Sequence, residues 1–256
     1  VIEISNLTRQ FGNLTAVDEL SLRVNDGEIF GLLGPNGAGK TTTVKMIVGM
    51  LEPTGGEIRV NGFSVKSDLD KIKSQLGYVP ESSALYENLT GREHLDMVCE
   101  LHHFPYEKKE NRIARLIELL RLKDFADERI AGYSKGMKQK LLLAGALIHN
   151  PRLLILDEPF SGLDANTVSV FKEVIREFTR EGRIVIFCSH ILEVVERICT
   201  RLVIIDKGKK RAEGTPQDIV QEHNTDSLSA AFSELTGVTD VDEQAHDILR
   251  ALEGEL

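Results

Sequence analysis

Long apolar runs are missing from this sequence: the longest extends about eight residues, well short of the roughly 18–20 that a membrane-spanning helix needs. No charged and then apolar segment opens it either, so the sequence predicts neither a membrane span nor an export signal. Cysteine is scarce. Cys99, Cys188 and Cys199 are odd in number and form no C-x-x-C pair, which argues against a disulfide framework and against a structural zinc site. A reducing, cytoplasmic setting is the expectation. Internal repeats and low-complexity tracts are also absent, as is any stripe of Lys and Arg suited to a phosphate backbone; no nucleic-acid partner is expected.

The net charge of −9 over 256 residues looks like a global property but is local, because residues 213–256 hold eleven Asp or Glu against Arg250 alone. Residues 1–212 are therefore close to neutral. With 41% hydrophobic and 28% charged residues, the chain is long and apolar enough for a substantial core in one large or two small domains.

Two stretches, LSLRV at Leu20–Val24 and EIRVNGF at Glu57–Phe63, alternate apolar and polar residues and end in Asn-Asp-Gly and Asn-Gly turns. They predict antiparallel strands near the N-terminus. Three others, IFGLL at Ile29–Leu33, LLILD at Leu153–Asp157 and IVIFC at Ile184–Cys188, are apolar at consecutive positions, as parallel strands buried on both faces are. Between the last two, Val170, Val174 and Phe178 recur every four residues and predict a helix that stops at Gly182. From about 90 to 148 only helical patterns occur, as in Ile113, Leu116, Ile117 and Leu120. The fold class expected is a doubly wound α/β core with a parallel sheet, an N-terminal antiparallel β subdomain and an inserted all-helical subdomain. The division is core 1–90 and 149–212, helical subdomain 91–148, and acidic extension 213–256. In that extension TPQDIV predicts a Pro-started helix, a second short helix ends at Gly237, and Ile248, Leu249 and Leu252 suggest a third.

GPNGAGKT, Gly34–Thr41, fits G-x-x-x-x-G-K-[ST] between a buried strand and a helix. Its glycines let backbone N–H groups curl around phosphates, the helix N-terminus adds positive potential, Lys40 reaches the β- and γ-phosphates, and the Thr41 hydroxyl is a Mg²⁺ ligand. The nucleotide contacts expected are Gly34, Pro35, Asn36, Gly37, Ala38, Gly39, Lys40, Thr41 and Thr42. The same chemistry needs an acid at the end of a neighbouring strand, and LLILDEP supplies two: Asp157 to hold Mg²⁺ and Glu158 to act as general base toward water. In YSKGMKQK, Ser134 stands at an N-cap position and Gly136 permits close backbone approach, so this helix start is a second candidate for phosphate binding.

With these motifs in this order, residues 1 to about 237 resemble the nucleotide-binding subunit of the ATP-binding cassette family, which implies that the α/β core is of the P-loop NTPase type. SKGM resembles the family's SGGQ signature, FSGLD at Phe160–Asp164 its D-loop, and CSH ending at His190 its switch histidine. The resemblance implies catalytic Glu158, His190 and Lys40; ATP contacts from Phe11 (adenine stacking), Ser134, Gly136 and Asp164; and metal ligation by Thr41, Asp157 and Glu81. It implies ATP and Mg²⁺ as cofactors and two cassettes facing head to tail, the second being another copy or a paralogue. It further implies a separate integral membrane permease docked along Glu81 to about Phe104, with this chain cytoplasmic and peripheral on the cytoplasmic face of the membrane. LYENLTGREHL and SLSAAFSELTGV are similar to exporters of this layout. A soluble cassette ATPase acting on ribosomes or DNA is the alternative, but those usually carry two cassettes or a long coiled-coil insertion. Glu81 departs from the family's usual glutamine after GYVP, and Tyr133 and Lys140 stand where leucine and arginine are frequent.

Overall fold

The computed structural model describes residues 1–82 and 85–238. In chain order the strands are β1 (Ile2–Phe11), β2 (Leu14–Val24), β3 (Ile29–Leu33), β4 (Gly55–Val60), β5 (Phe63–Ser64), β6 (Leu76–Val79), β7 (Leu153–Asp157), β8 (Ile184–Cys188), β9 (Arg201–Asp206) and β10 (Lys209–Gly214). The α-helices are α1 (Lys40–Ile47), α2 (Leu69–Lys73), α3 (Gly91–Leu101), α4 (Tyr106–Leu119), α5 (Lys135–Ile148), α6 (Ala165–Arg180), α7 (Leu192–Ile198), α8 (Pro216–Glu222) and α9 (Leu228–Thr236).

The strands form two sheets. One is antiparallel in the order β2-β1-β4-β5, and the other runs β10-β9-β3-β8-β7-β6, parallel except for β10 at its edge. The consecutive apolar runs predicted as buried strands are β3, β7 and β8, every residue of which is buried. Because successive side chains of a strand point to opposite faces, one run feeds two cores. Ile184, Ile186 and Cys188 of β8 join the core under the antiparallel sheet and α1, whereas Val185 and Phe187 join the core under α5, α6, α7 and α9.

Between 91 and 148 the chain is helical with its own apolar centre, which includes Leu95, Ile113, Ile117, Ile130, Tyr133 and Leu141. Local chemistry sets the helix ends: Thr90 and Glu93 form a capping box for α3, and Thr215 and Asp218 form one for α8, which starts on Pro216. The short helix expected to end at Gly237 is α9, closed by Gly237 at φ +67°. The helix suggested by Ile248, Leu249 and Leu252 lies outside the described residues.

The helix expected from Val170, Val174 and Phe178 is α6, but the spacing alone does not fix which face it buries. On α6 the sheet side carries Phe171, Ile175, Phe178 and Thr179, while Val170 and Val174 are 54% and 37% exposed. Both sets satisfy a helical period, and the larger Phe171 and Ile175 take the buried side because they remove more apolar surface from water.

A stacked histidine pair joins the helical segment to the sheet edge. His102 and His149, at the ends of α3 and α5, lie with ring centroids 3.6 Å apart, and His149 Nε2 donates to the Leu76 carbonyl at 3.0 Å where β6 begins. Burial, with the charge of His102 beside it, pushes His149 down from 6.5 to about 4. The unfolded chain takes up this proton at higher pH than the folded one, so the stability it confers is present above pH 6.5 and is lost as pH falls toward 4. His149→Gln is expected to flatten the decline of the urea midpoint across that window; an unchanged slope would locate the acid sensitivity elsewhere.

Candidate active site

At the C-terminal ends of the parallel strands the chain between β3 and α1 makes a turn that glycine alone accommodates in two places. A side chain at Gly34 would bring its Cβ to 2.3 Å from the Ile205 carbonyl oxygen, and at Gly39, where φ is +107°, to 2.5 Å from that of Ala16. The loop is thus pressed between β9 and β2, and α1 begins directly behind it.

Lys40, the first residue of α1, turns back over the loop and donates from Nζ to the carbonyl oxygens of Gly34 and Pro35 at 2.6 and 3.1 Å. Thr41 Oγ1 donates to Asp157 Oδ2 at 3.4 Å. Asp157 closes β7 and is 2% exposed. Burial, followed by the negative charges of Glu81 and Glu158, pushes its carboxyl up to about 6, an environment that favours a cation as neighbour.

Glu158 follows with left-handed backbone, φ +49°, unusual outside glycine and held only where contacts over-determine it. Its N–H donates to the Cys188 carbonyl at 3.0 Å. Its carboxylate accepts from Ser189 Oγ at 3.2 Å, from the His190 backbone N–H at 2.8 Å and from His190 Nδ1 at 2.7 Å. The β7 and β8 ends are therefore tied through one side chain.

A cavity of about 600 Å³ gathers Leu33, Gly34, Pro35, Asn36, Gly37, Ala38, Gly39, Lys40, Thr41, Thr42, Glu81, Asp157, Glu158 and His190, together with Ala16, Phe232 and Val238. The phosphate loop and the acidic and histidine residues expected from sequence are thus neighbours. Phe232 and Val238 were not anticipated. The turn after α9 positions Val238, since Gly237 N–H donates to Ser233 O and Thr236 Oγ1 donates to Phe232 O at 2.7 Å, while Leu228 and Ala231 anchor the helix in the core. No local motif signals a contact made from so far along the chain.

Four expected nucleotide contacts are not among the residues lining this cavity: Phe11, Ser134, Gly136 and Asp164. Phe11 ends β1, 45% exposed, with the Arg9 guanidinium 4.5 Å from its ring centre. Ser134 caps α5, accepting from Met137 N–H. Gly136 passes so close to the D-loop that a Cβ there would lie 2.8 Å from the Gly162 carbonyl oxygen. Asp164 caps α6, accepting from the Thr167 N–H and hydroxyl, and these bonds hold its carboxyl below the usual range. Buried Gln139 donates to the Pro159 carbonyl at 2.8 Å, and Lys138 pairs with Glu87. The start of α5 is thereby fastened both to the turn after Glu158 and to the segment that follows Glu81. Tyr133 fits through its hydroxyl, which donates to Phe125 O at 2.7 Å in space left open by Gly91.

Comparison with known proteins agrees with this layout. The ABC transporter family profile matches residues 17–161. The chain is 42% identical to ATP-binding cassette sub-family A member 2 of Rattus norvegicus over 86% of its own length and 9% of that protein's. It is 39% identical to the Nod factor export ATP-binding protein I of Mesorhizobium japonicum, over 87% of this chain and 65% of that one. It thus spans less than two thirds of either relative. Among solved structures, an ATP-binding subunit of an ABC transporter superposes with a TM-score of 0.86 at 34% identity, covering 92% of this chain and 99% of that one. The fold is that of a P-loop ATPase domain, and the chain belongs to the ABC transporter family as one of its ATP-binding cassettes.

Proposed function

We propose that this chain is the ATP-binding and ATP-hydrolysing subunit of an exporter-type ABC transporter, working on the cytoplasmic face of a membrane against a separate permease. The observation that carries this reading is the division of the site. One cavity holds Lys40, Thr41, Asp157, Glu158 and His190, while Ser134 and Gly136 stand apart at the start of α5. A chain with both halves, not lining one cavity, is completed by a second cassette whose α5 start closes over the first chain's phosphate loop. The pair is two copies of this chain or this chain with a paralogue, and it encloses two ATP molecules. Phe11 stacks on the adenine base once its ring exchanges Arg9 for the nucleotide.

The residues present suit Mg²⁺. Among the described residues no three Asp, Glu, His or Cys side chains converge as a self-sufficient metal site, so a cation would take Thr41 and Asp157, with Glu81 nearby, and leave positions for phosphate oxygens and water. These are hard oxygen donors, and the buried Asp157 carboxylate is stabilised by such a neighbour. When bound, the ion neutralises phosphate charge and aligns the reacting oxygens. Lys40 exchanges the Gly34 and Pro35 carbonyls for phosphate oxygens. Glu158 accepts the proton of the attacking water, and His190 turns toward the terminal phosphate. Closure that depends on that phosphate makes the dimer a two-state device, opened by hydrolysis.

The division of labour is a core of residues 1–90 and 149–212, a helical signature subdomain of 91–148 and an acidic extension of 213–256. Export is supported by the similarity to the Nod factor export protein and by the LYENLTGREHL and SLSAAFSELTGV stretches. The test is to express tagged Glu158→Gln in the native host and solubilise it with ATP. An integral membrane protein should co-purify at near equal ratio and, reconstituted in liposomes with the parent chain, change its ATPase rate. Ribosomes or soluble complexes in its place would overturn the transporter reading and leave the ATPase standing.

A further inference from the structure

We infer that Ser189 is a positioning residue for hydrolysis: its hydroxyl keeps the Glu158 carboxylate aimed when His190 turns away from it. The inference rests on the reading of Glu158 as general base. Ser189 is 3% exposed. Its Oγ donates to Glu158 Oε2 at 3.2 Å and accepts from the Ile191 N–H at 3.1 Å, so both capacities of a buried hydroxyl are used and its orientation is set.

The two carboxylate oxygens are held by different residues. Oε1 accepts from the backbone and ring of His190, Oε2 from Ser189. The His190 side chain is 70% exposed, against 15% for that of Glu158, and so can swing out while Ser189 cannot. The terminal torsion of a glutamate is intrinsically broad, so an anchor on a single oxygen leaves the carboxylate free to rotate. After His190 departs, its backbone N–H still holds Oε1 and Ser189 holds Oε2. With alanine at 189, Oε1 alone is anchored, in a residue whose left-handed backbone already needs external support.

The test is steady-state phosphate release with Mg²⁺ and ATP, alongside ATP affinity and melting temperature. Ser189→Ala is expected to lower kcat roughly ten- to hundredfold with ATP affinity and melting temperature close to those of the parent, and Ser189→Thr, which retains the hydroxyl, is expected to restore most of the rate. In a Glu158→Gln background Ser189→Ala should add no further loss, because the group it positions has already been removed. An alanine variant as fast as the parent, or a threonine variant as slow as alanine while melting like the parent, overturns the role of the hydroxyl. A Glu158→Gln chain that hydrolyses ATP at the parental rate instead overturns the assignment of the base itself, so the two failures are told apart.

Discussion

Glu158→Gln is expected to slow ATP hydrolysis by about 10²–10⁴-fold, the usual range for removing a general base, while leaving ATP affinity nearly unchanged. Glutamine has the same shape, and its carbonyl oxygen can still accept from the His190 N–H that now meets Oε1 at 2.8 Å. It has no carboxylate to receive a proton from water. The phosphate loop, Lys40 and Thr41 are untouched, so binding continues. A site completed by a second cassette gives this variant a further property: with closure intact and hydrolysis blocked, saturating ATP and Mg²⁺ should hold it as a dimer. Light scattering reads the mass directly. Parental turnover would remove Glu158 from the chemistry, and a monomer in saturating nucleotide would contradict the two-cassette site.

What the sequence revealed and what it concealed divide along a physical line. The phosphate loop was legible because its chemistry is local: Gly34 and Gly39 occupy positions where a Cβ would collide with β9 and β2, and Lys40 and Thr41 follow at fixed offsets in the next helix. Asp157 and Glu158 were legible because a fully apolar strand ending in two acids is a short-range pattern. The three consecutive apolar runs gave β3, β7 and β8, but the sheet also contains β6 and β9, which those runs did not include. Tertiary choices stayed hidden. Val170 and Phe171 head equally good helical stripes, and the packing of α6 alone decides between them. Phe232 and Val238 reach the cavity from beyond α8, a contact that loop closure and core docking create and no local spacing records. The hydrogen bond from Ser189 to Glu158 joins the ends of two strands adjacent in the sheet but separated by α6, so its partner could not be read from the residues around it.

Replacing Lys40 with alanine is expected to weaken ATP binding by about 100-fold or more, corresponding to roughly 3 kcal/mol for removing one member of a charge-assisted contact in a sheltered site. The parent holds the ammonium at 2.6 and 3.1 Å from the Gly34 and Pro35 carbonyls, so the group is ordered over the loop before phosphate arrives and loses little freedom when it exchanges partners. Thermal stability separates this role from a structural one. The carbonyls that Lys40 releases face a cavity that water can enter, so solvent replaces the lost bonds and the nucleotide-free chain should melt near the parental temperature. Nucleotide stabilisation should fall instead: at ATP one hundred times the parental Kd the parent gains about 2.7 kcal/mol, and a variant with a hundredfold weaker site gains only about 0.4 kcal/mol. A Lys40→Ala chain that keeps the full ATP-induced shift would show that backbone N–H groups and the α1 terminus bind the phosphates unaided. A chain that melts early without nucleotide would make Lys40 chiefly a brace for the loop. The expected combination, parental stability with the ATP response lost, follows from an ammonium whose loop contacts are replaceable by water and whose phosphate contacts are not.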